Sequence, residues 1–146
     1  MHARQQLREA VKTAVTGLPI TGTHVETGRT RPLPEGHPQT LLVYTKPENS
    51  DVDAQGEDAT LMRDLRLVVE IRVTAAEPPD DELDLIATDV EAALATNAAV
   101  LAMVREITLI RSDPQVTAEG ASHIGRLALE YRVVYRTRES DPTTIV

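Results

Sequence analysis

The sequence predicts an α+β fold: a mainly antiparallel sheet with two main helices packed on one face. Three observations predict it. Residues 61–74 alternate strictly, with Leu65, Leu67, Val69, Ile71 and Val73 on one face and Asp64, Arg66, Glu70, Arg72 and Thr74 on the other. Such period-two patterning describes a strand with one buried and one wet face. The pattern recurs around Leu127–Tyr135, and two amphipathic helical stretches flank the first alternating strand. The resulting order of helix, two or three strands, helix and two strands lets the helices pack on one face of the sheet.

Taken in order, Ala3–Val15 reads as a helix, because Ala3, Leu7, Ala10, Val11, Ala14 and Val15 form one apolar stripe. Gly17 stands where a left-handed cap is wanted, and Pro19 blocks a restart. A short strand is expected at Thr23–Thr27, and the glycine- and proline-bearing Gly28–Pro38 reads as an ordered loop or extended arm. Leu41–Thr45 is apolar on both faces and therefore belongs inside the sheet. Residues 46–60 are polar and acidic and read as a flexible loop. After the alternating strand, Asp81–Thr96 is a helix with Leu83, Ile86, Ala87, Val90 and Leu94 on one stripe, Asp80 as its N-cap and Asn97 as its stop. A short helical turn follows at Ala98–Val104, then a strand at Glu106–Arg111, a loop from Asp113-Pro114, and a last strand at Ser122–Thr137. Residues 1–137 thus form one domain, and the aperiodic 138–146 is expected to be a loose tail.

Composition narrows the function. The only aromatic residues are Tyr44, Tyr131 and Tyr135, so the core must be aliphatic. A net charge of −8 with no block of Lys or Arg disfavours a nucleic-acid backbone as partner. There is no cysteine, and no apolar run reaches the roughly 18 residues that cross a bilayer.

No pattern of catalytic residues emerges. Ser50, Ser112, Ser122 and Ser140 lack a nucleophile-elbow context, and the glycines form no phosphate-cradling loop. His2, His24, His37 and His123 lie in unrelated segments without ligand spacing. Asp51-Val52-Asp53 starts like a calcium loop, but Gln55 and Met62 occupy positions five and twelve, so only loose divalent binding at Asp51 and Asp53 is expected. The carboxylates Asp80, Asp81, Glu82 and Asp84 are explained by the helix N-terminus they occupy. What stands out is the charged face of the long strands, where Arg66, Glu70 and Arg72 meet Arg126, Glu130, Arg132 and Arg136. Opposite charges are expected to lie across from each other there. Arginine in place of lysine suits fork-shaped recognition of carboxylates across a contact.

Read end to end, the chain resembles the tail terminator proteins of long-tailed phages, the lambda-type minor tail protein U family. The resemblance rests on Leu7-Arg8-Glu9-Ala10-Val11, Gly28-Arg29 with Pro32-Leu33, Pro38 before Leu42-Val43-Tyr44-Thr45, Leu67-Val68-Val69-Glu70-Ile71, Asp81-Glu82-Leu83-Asp84 and Leu129-Glu130-Tyr131-Arg132-Val133-Val134-Tyr135, in that order. It implies a non-enzymatic virion tail protein, assembled in the host cytoplasm, that closes into a hexameric ring on the tail tube. The ring stops tube growth and presents the surface that joins the head, so the implied partners are further copies of the chain, the tail tube protein and a head–tail connector protein. By chemistry alone, Arg29, Arg31, Glu48, Asp51, Arg66, Arg72 and Arg132 are the interface candidates. Six copies would bring about −48 together, so assembly is expected to depend on salt or a divalent cation such as magnesium, with no other cofactor. Two alternatives remain: a neighbouring head–tail connector or tail-completion protein, and a small ligand-binding α+β domain, against which the scarcity of aromatic residues argues.

Overall fold

A computed structural model describes residues 1–28 and 37–146, with Glu119 described by its backbone alone. Along the chain run α1 (Ala3–Ala14), β1 (Val25–Thr27), β2 (Gln39–Ala54), β3 (Thr60–Ala75), α2 (Asp80–Thr96), α3 (Ala98–Met103), β4 (Glu106–Glu119) and β5 (Ser122–Arg138). The strands form a sheet of order β1-β2-β3-β5-β4, parallel between β1 and β2 and antiparallel elsewhere. The architecture is α+β, with the helices on one face.

The alternation along β3 decides which face that is. Leu65, Leu67, Val69, Ile71 and Val73 are fully buried. Their partners across the β3–β5 ladder are Val133, Tyr131, Leu129, Leu127 and Gly125, so two strands offer one continuous apolar face. Onto it α1 lays Ala3, Leu7 and Val11, followed by Val15, while α2 lays Leu83, Ile86, Ala87, Val90 and Leu94. These are the helix stripes read from the sequence. Each large aliphatic side chain removed from water contributes about 1.5–3 kcal/mol, so the core needs many of them. On the other face Leu42, Tyr44 and Val68 form a small second cluster with Ala128 against it.

Details of helix ends differ from expectation. Asp80 is the first residue of α2 and not its cap; Pro79 precedes it and no side chain caps the helix. Asp80, Asp81 and Glu82 remain in the first turn, where the positive end of the helix dipole favours them. Side-chain caps stand at α1, where Nδ1 of His2 accepts the Arg4 N–H at 3.0 Å, and at α3, where Oδ1 of Asn97 accepts the Val100 N–H at 3.0 Å. Burial, with Arg4 and Arg63 nearby, holds the His2 imidazole below its ordinary pKa and keeps it the neutral acceptor that this bond needs.

Three further expectations are corrected. Residues 46–54 are not a loop: β2 runs on to Ala54, paired with β3 down to Ala54↔Thr60. A register shift between Thr45 and Glu48, at Pro47, inserts a bulge that broke the sequence pattern. Asp113-Pro114 also lies within a strand, paired with Ala128 and Leu127. Because β4 is the sheet edge, a residue without an N–H is tolerated there. Its hairpin to β5 closes through Gly120 and Ala121, and only Gly120 is left-handed (φ +59°), as a type II′ turn requires. The tail after Arg138, finally, is tied down. Ser140 Oγ donates to Asp58, Pro142 accepts the Ala3 N–H at 2.9 Å, Ile145 bridges Thr137, and the Val146 N–H reaches Arg136. The expected extended arm at 28–38 falls mostly outside the described residues.

One approach is too close for a side chain. A Cβ on Gly125 would lie 2.7 Å from Cγ of Pro79 and 2.9 Å from Cδ1 of Leu83, where α2 begins. Gly125→Ala is therefore expected to destabilise the fold by about 1–3 kcal/mol through overpacking, read as a lower urea midpoint with unchanged m-value. An unaltered midpoint would mean that α2 shifts without cost.

Candidate functional site

The face of the sheet turned away from the helices carries the chain's most ordered charge. Its residues stand abreast in rows fixed by the strand registers. Thr40, Arg72, Arg126 and Gln115 form one row, Leu42, Glu70, Ala128 and Asp113 the next, then Tyr44, Val68, Glu130 and Arg111. Farther along, Arg66, Arg132 and Thr108 stand together. Opposite charges do not face each other across β3 and β5 as expected; Arg66 faces Arg132 and Arg72 faces Arg126. The compensating acids sit two residues along a strand or diagonally.

Asp64 receives Nη1 of Arg66 on one oxygen and Nε of Arg132, at 3.0 Å, on the other. Arg132 also reaches Glu106 at 2.8 Å. Partial burial would raise the Asp64 carboxyl, but the two arginine bonds outweigh it and hold the group below its ordinary pKa. Glu70 is clamped from two sides, by Nε of Arg72 at 2.6 Å and by the Tyr44 hydroxyl at 3.2 Å. Lys46 pairs with Glu130 at 2.7 Å and Arg136 with Asp53 at 2.6 Å. Arg126 is exposed and has no ion pair among the described residues. Lys46, Arg72 and Arg126, with Gln115 and the acids Glu70 and Asp113, line a shallow groove of about 350 Å³ over Tyr44 and Ala128.

The sequence-selected residues are thus distributed unevenly. Arg66, Arg72 and Arg132 share the charged face. Arg29 and Arg31 lie outside the described residues. Asp51 is exposed on β2 opposite Met62. Of the pair considered for divalent binding, Asp53 is already engaged by Arg136, and no three His, Asp or Glu side chains converge among the described residues.

Glu48 goes elsewhere. Past the bulge, alternate residues of β2 exchange faces, so Glu48 points into the helix side with its side chain 4% exposed. It accepts from Arg4 at 3.2 Å, Arg63 at 3.1 Å and the Tyr135 hydroxyl at 2.5 Å. Burial and this bond to Glu48 raise the Tyr135 pKa, so the phenol stays a donor. Sequence reading missed this junction because it saw a loop; Pro47 was the available signal for a parity change. The histidines His24 and His37 do meet, with ring centroids 3.7 Å apart.

No family model and no curated protein matches the sequence. Among solved structures, a chain in the "virion of native gene transfer agent (GTA) particle" is similar, at 20% identity and a TM-score of 0.34, over 91% of this chain and 92% of that one. A superposition that loose carries no functional conclusion.

Two outcomes follow from the geometry. Glu48→Ala leaves Arg63 and Tyr135 facing an emptied, buried position and is expected to cost about 3 kcal/mol, whereas Asp51→Asn stays within about 0.5 kcal/mol, both by urea unfolding. Equal effects would contradict the burial of Glu48. Because the folded pKa of Asp64 is depressed, its contribution to stability is full above the unfolded value near 4 and disappears as pH falls through the folded value. The stability gap between wild type and Asp64→Asn should therefore be constant from about pH 5 to 7 and shrink progressively as pH falls below about 4; a gap that does not narrow anywhere on acidification would refute the pairing.

Proposed function

We propose that this protein is a structural subunit of a phage-type virion: a tail terminator that closes into a ring on the end of the tail tube, halts tube growth and offers the head-joining surface. The observation that carries this reading is the sheet face turned away from the helices, where charge is laid out in rows and like charges stand abreast. Its more exposed pairs, such as Asp64 with Arg66 and Arg132, gain the chain only about 0–1 kcal/mol each, and facing arginines repel. Against a second surface, the same rows define a register and an orientation. The order of sequence segments by which the chain resembles the tail terminator family supports the same reading.

A ring requires two different, mutually complementary patches on each subunit. With a net charge of −8 per chain, closure should be assisted by salt or by a divalent cation such as magnesium. The partners under this proposal are further copies of the chain, six in the closed ring, together with the tail tube protein and a head–tail connector.

Light scattering with chelator and with millimolar magnesium tests the ring, and purified tail tube protein tests the cap. The expected result is a mass of about six subunits, promoted by magnesium, and arrest of tube growth at substoichiometric ratios of this protein to tube subunit. Rings that bind the portal side but leave tube growth untouched would reassign the protein to a neighbouring neck position. A mass identical with and without magnesium would remove the cation from the proposal.

A further inference from the structure

The net charge is not spread evenly. Residues 76–104 hold seven acids (Glu77, Asp80, Asp81, Glu82, Asp84, Asp89 and Glu91) and no Lys or Arg, so they account for all but one unit of the −8. Glu82 is engaged by Gln39 at 2.7 Å, but Asp81 and Asp84 are exposed, and Leu85 between the turns is 57% exposed. The groove formed by Lys46, Arg72, Gln115 and Arg126 has the opposite character. Its acids are already committed, Glu70 to Arg72 and Tyr44, and Asp113 to Arg111, and Lys46 is held by Glu130, which leaves Arg126 as the lining cation without an ion pair among the described residues.

These two surfaces lie back to back. Gly125 turns toward Pro79 at the start of α2, and the next residue, Arg126, points through to the far face of the sheet, since neighbours on a strand alternate. The acidic start of α2 and the basic groove therefore cannot meet within one chain. Between two copies they can.

Building on the ring reading, we infer that the acidic first turns of α2 in one subunit dock into the Lys46–Arg72–Arg126 groove of the next, with Asp81 and Asp84 facing Arg126 and Leu85 as the apolar centre of the contact. The contact is heterologous, helix side to sheet side, as closure of a ring demands. Its charge complementarity sets partner choice and orientation more than affinity. It also lets the acids that dominate the net charge face cations and not one another.

Charge exchange tests it. One variant carries Arg126→Glu with Gln115→Glu, the other Asp81→Lys with Asp84→Lys; all four positions are exposed, and circular dichroism and thermal unfolding check that each variant folds. Each variant alone places like charges across the contact, so its mass should fall about sixfold, from ring to single subunit. An equimolar mixture restores opposite charges at every contact of an alternating ring and should recover the ring mass. Either folded variant forming rings alone, or a mixture that stays monomeric, would overturn this contact while leaving the ring itself standing. A wild-type chain that is monomeric under every condition, tube protein included, would overturn the ring and this contact together.

Discussion

The structure depends on a single constraint, the two-residue period of β3. Its odd-numbered residues from Leu65 to Val73 are committed to one side of the sheet and its even-numbered residues to the other. Lacking Phe and Trp, the chain must build the buried side from many aliphatic contributions, which is why α1, α2, α3 and Ile145 of the tail all converge on one cluster. The two large side chains in that cluster, Tyr131 and Tyr135, bring hydroxyls inside with them. That of Tyr135 finds Glu48, whereas that of Tyr131 is buried without a hydrogen-bond partner among the described residues. Burial, with Glu91 nearby, keeps the Tyr131 phenol neutral by raising its pKa.

Where the period breaks, a charge enters the interior. The bulge at Pro47 exchanges the faces of β2, and Glu48 arrives on the helix side, where a hydrophobe would ordinarily stand. It is not left alone: Arg4 comes from α1, Arg63 from β3 and Tyr135 from β5. The junction therefore fastens the far half of the β2–β3 hairpin to the helix layer. The tail adds a second fastening at the same end, from Ser140 to Asp58 and from Pro142 to Ala3. A hairpin with little core of its own is held by polar bonds at its base, and its charged outer face keeps a defined position.

What was legible in the sequence follows from the same physics. Helix stripes and the long strands were readable because burial on one side writes a period, and Leu83 to Leu94 or Leu65 to Val73 carry it without interruption. Residues 46–54 and 113–118 were not, since apart from Glu48 and the half-buried Asp113 they are exposed strand segments whose pairing comes from backbone bonds that leave no hydrophobic trace. Acidic composition misled at 46–54 and Asp113-Pro114 misled on β4, where a bulge and a sheet edge stand in place of the inferred loops. For the charged face, sequence identified Arg66, Arg72 and Arg132 but not their register, because a shift of strand pairing changes which arginine faces which acid. Glu48 was selected for its charge, and only the parity change reveals that its charge is spent inside the chain.

The sheet edges favour contact through faces and not through strand addition. An open edge strand is a template for another chain unless it is blunted. Here β4 carries Pro114, which offers no N–H, and a bulge between Leu109 and Arg111, and both interrupt the regular row of donors and acceptors that an incoming strand would need. The far half of β2, beyond its short pairing with β1, likewise begins at Pro47 and a bulge. With both edges irregular, the surfaces that remain regular over many residues are the striped sheet face and the exposed side of α2. Facing arginines such as Arg66 and Arg132 cost the isolated chain something and are compensated along the strand or diagonally, through Asp64 and Glu106. A pattern that is locally unfavourable yet held in fixed register by two long ladders makes physical sense when its complement is supplied from outside the chain.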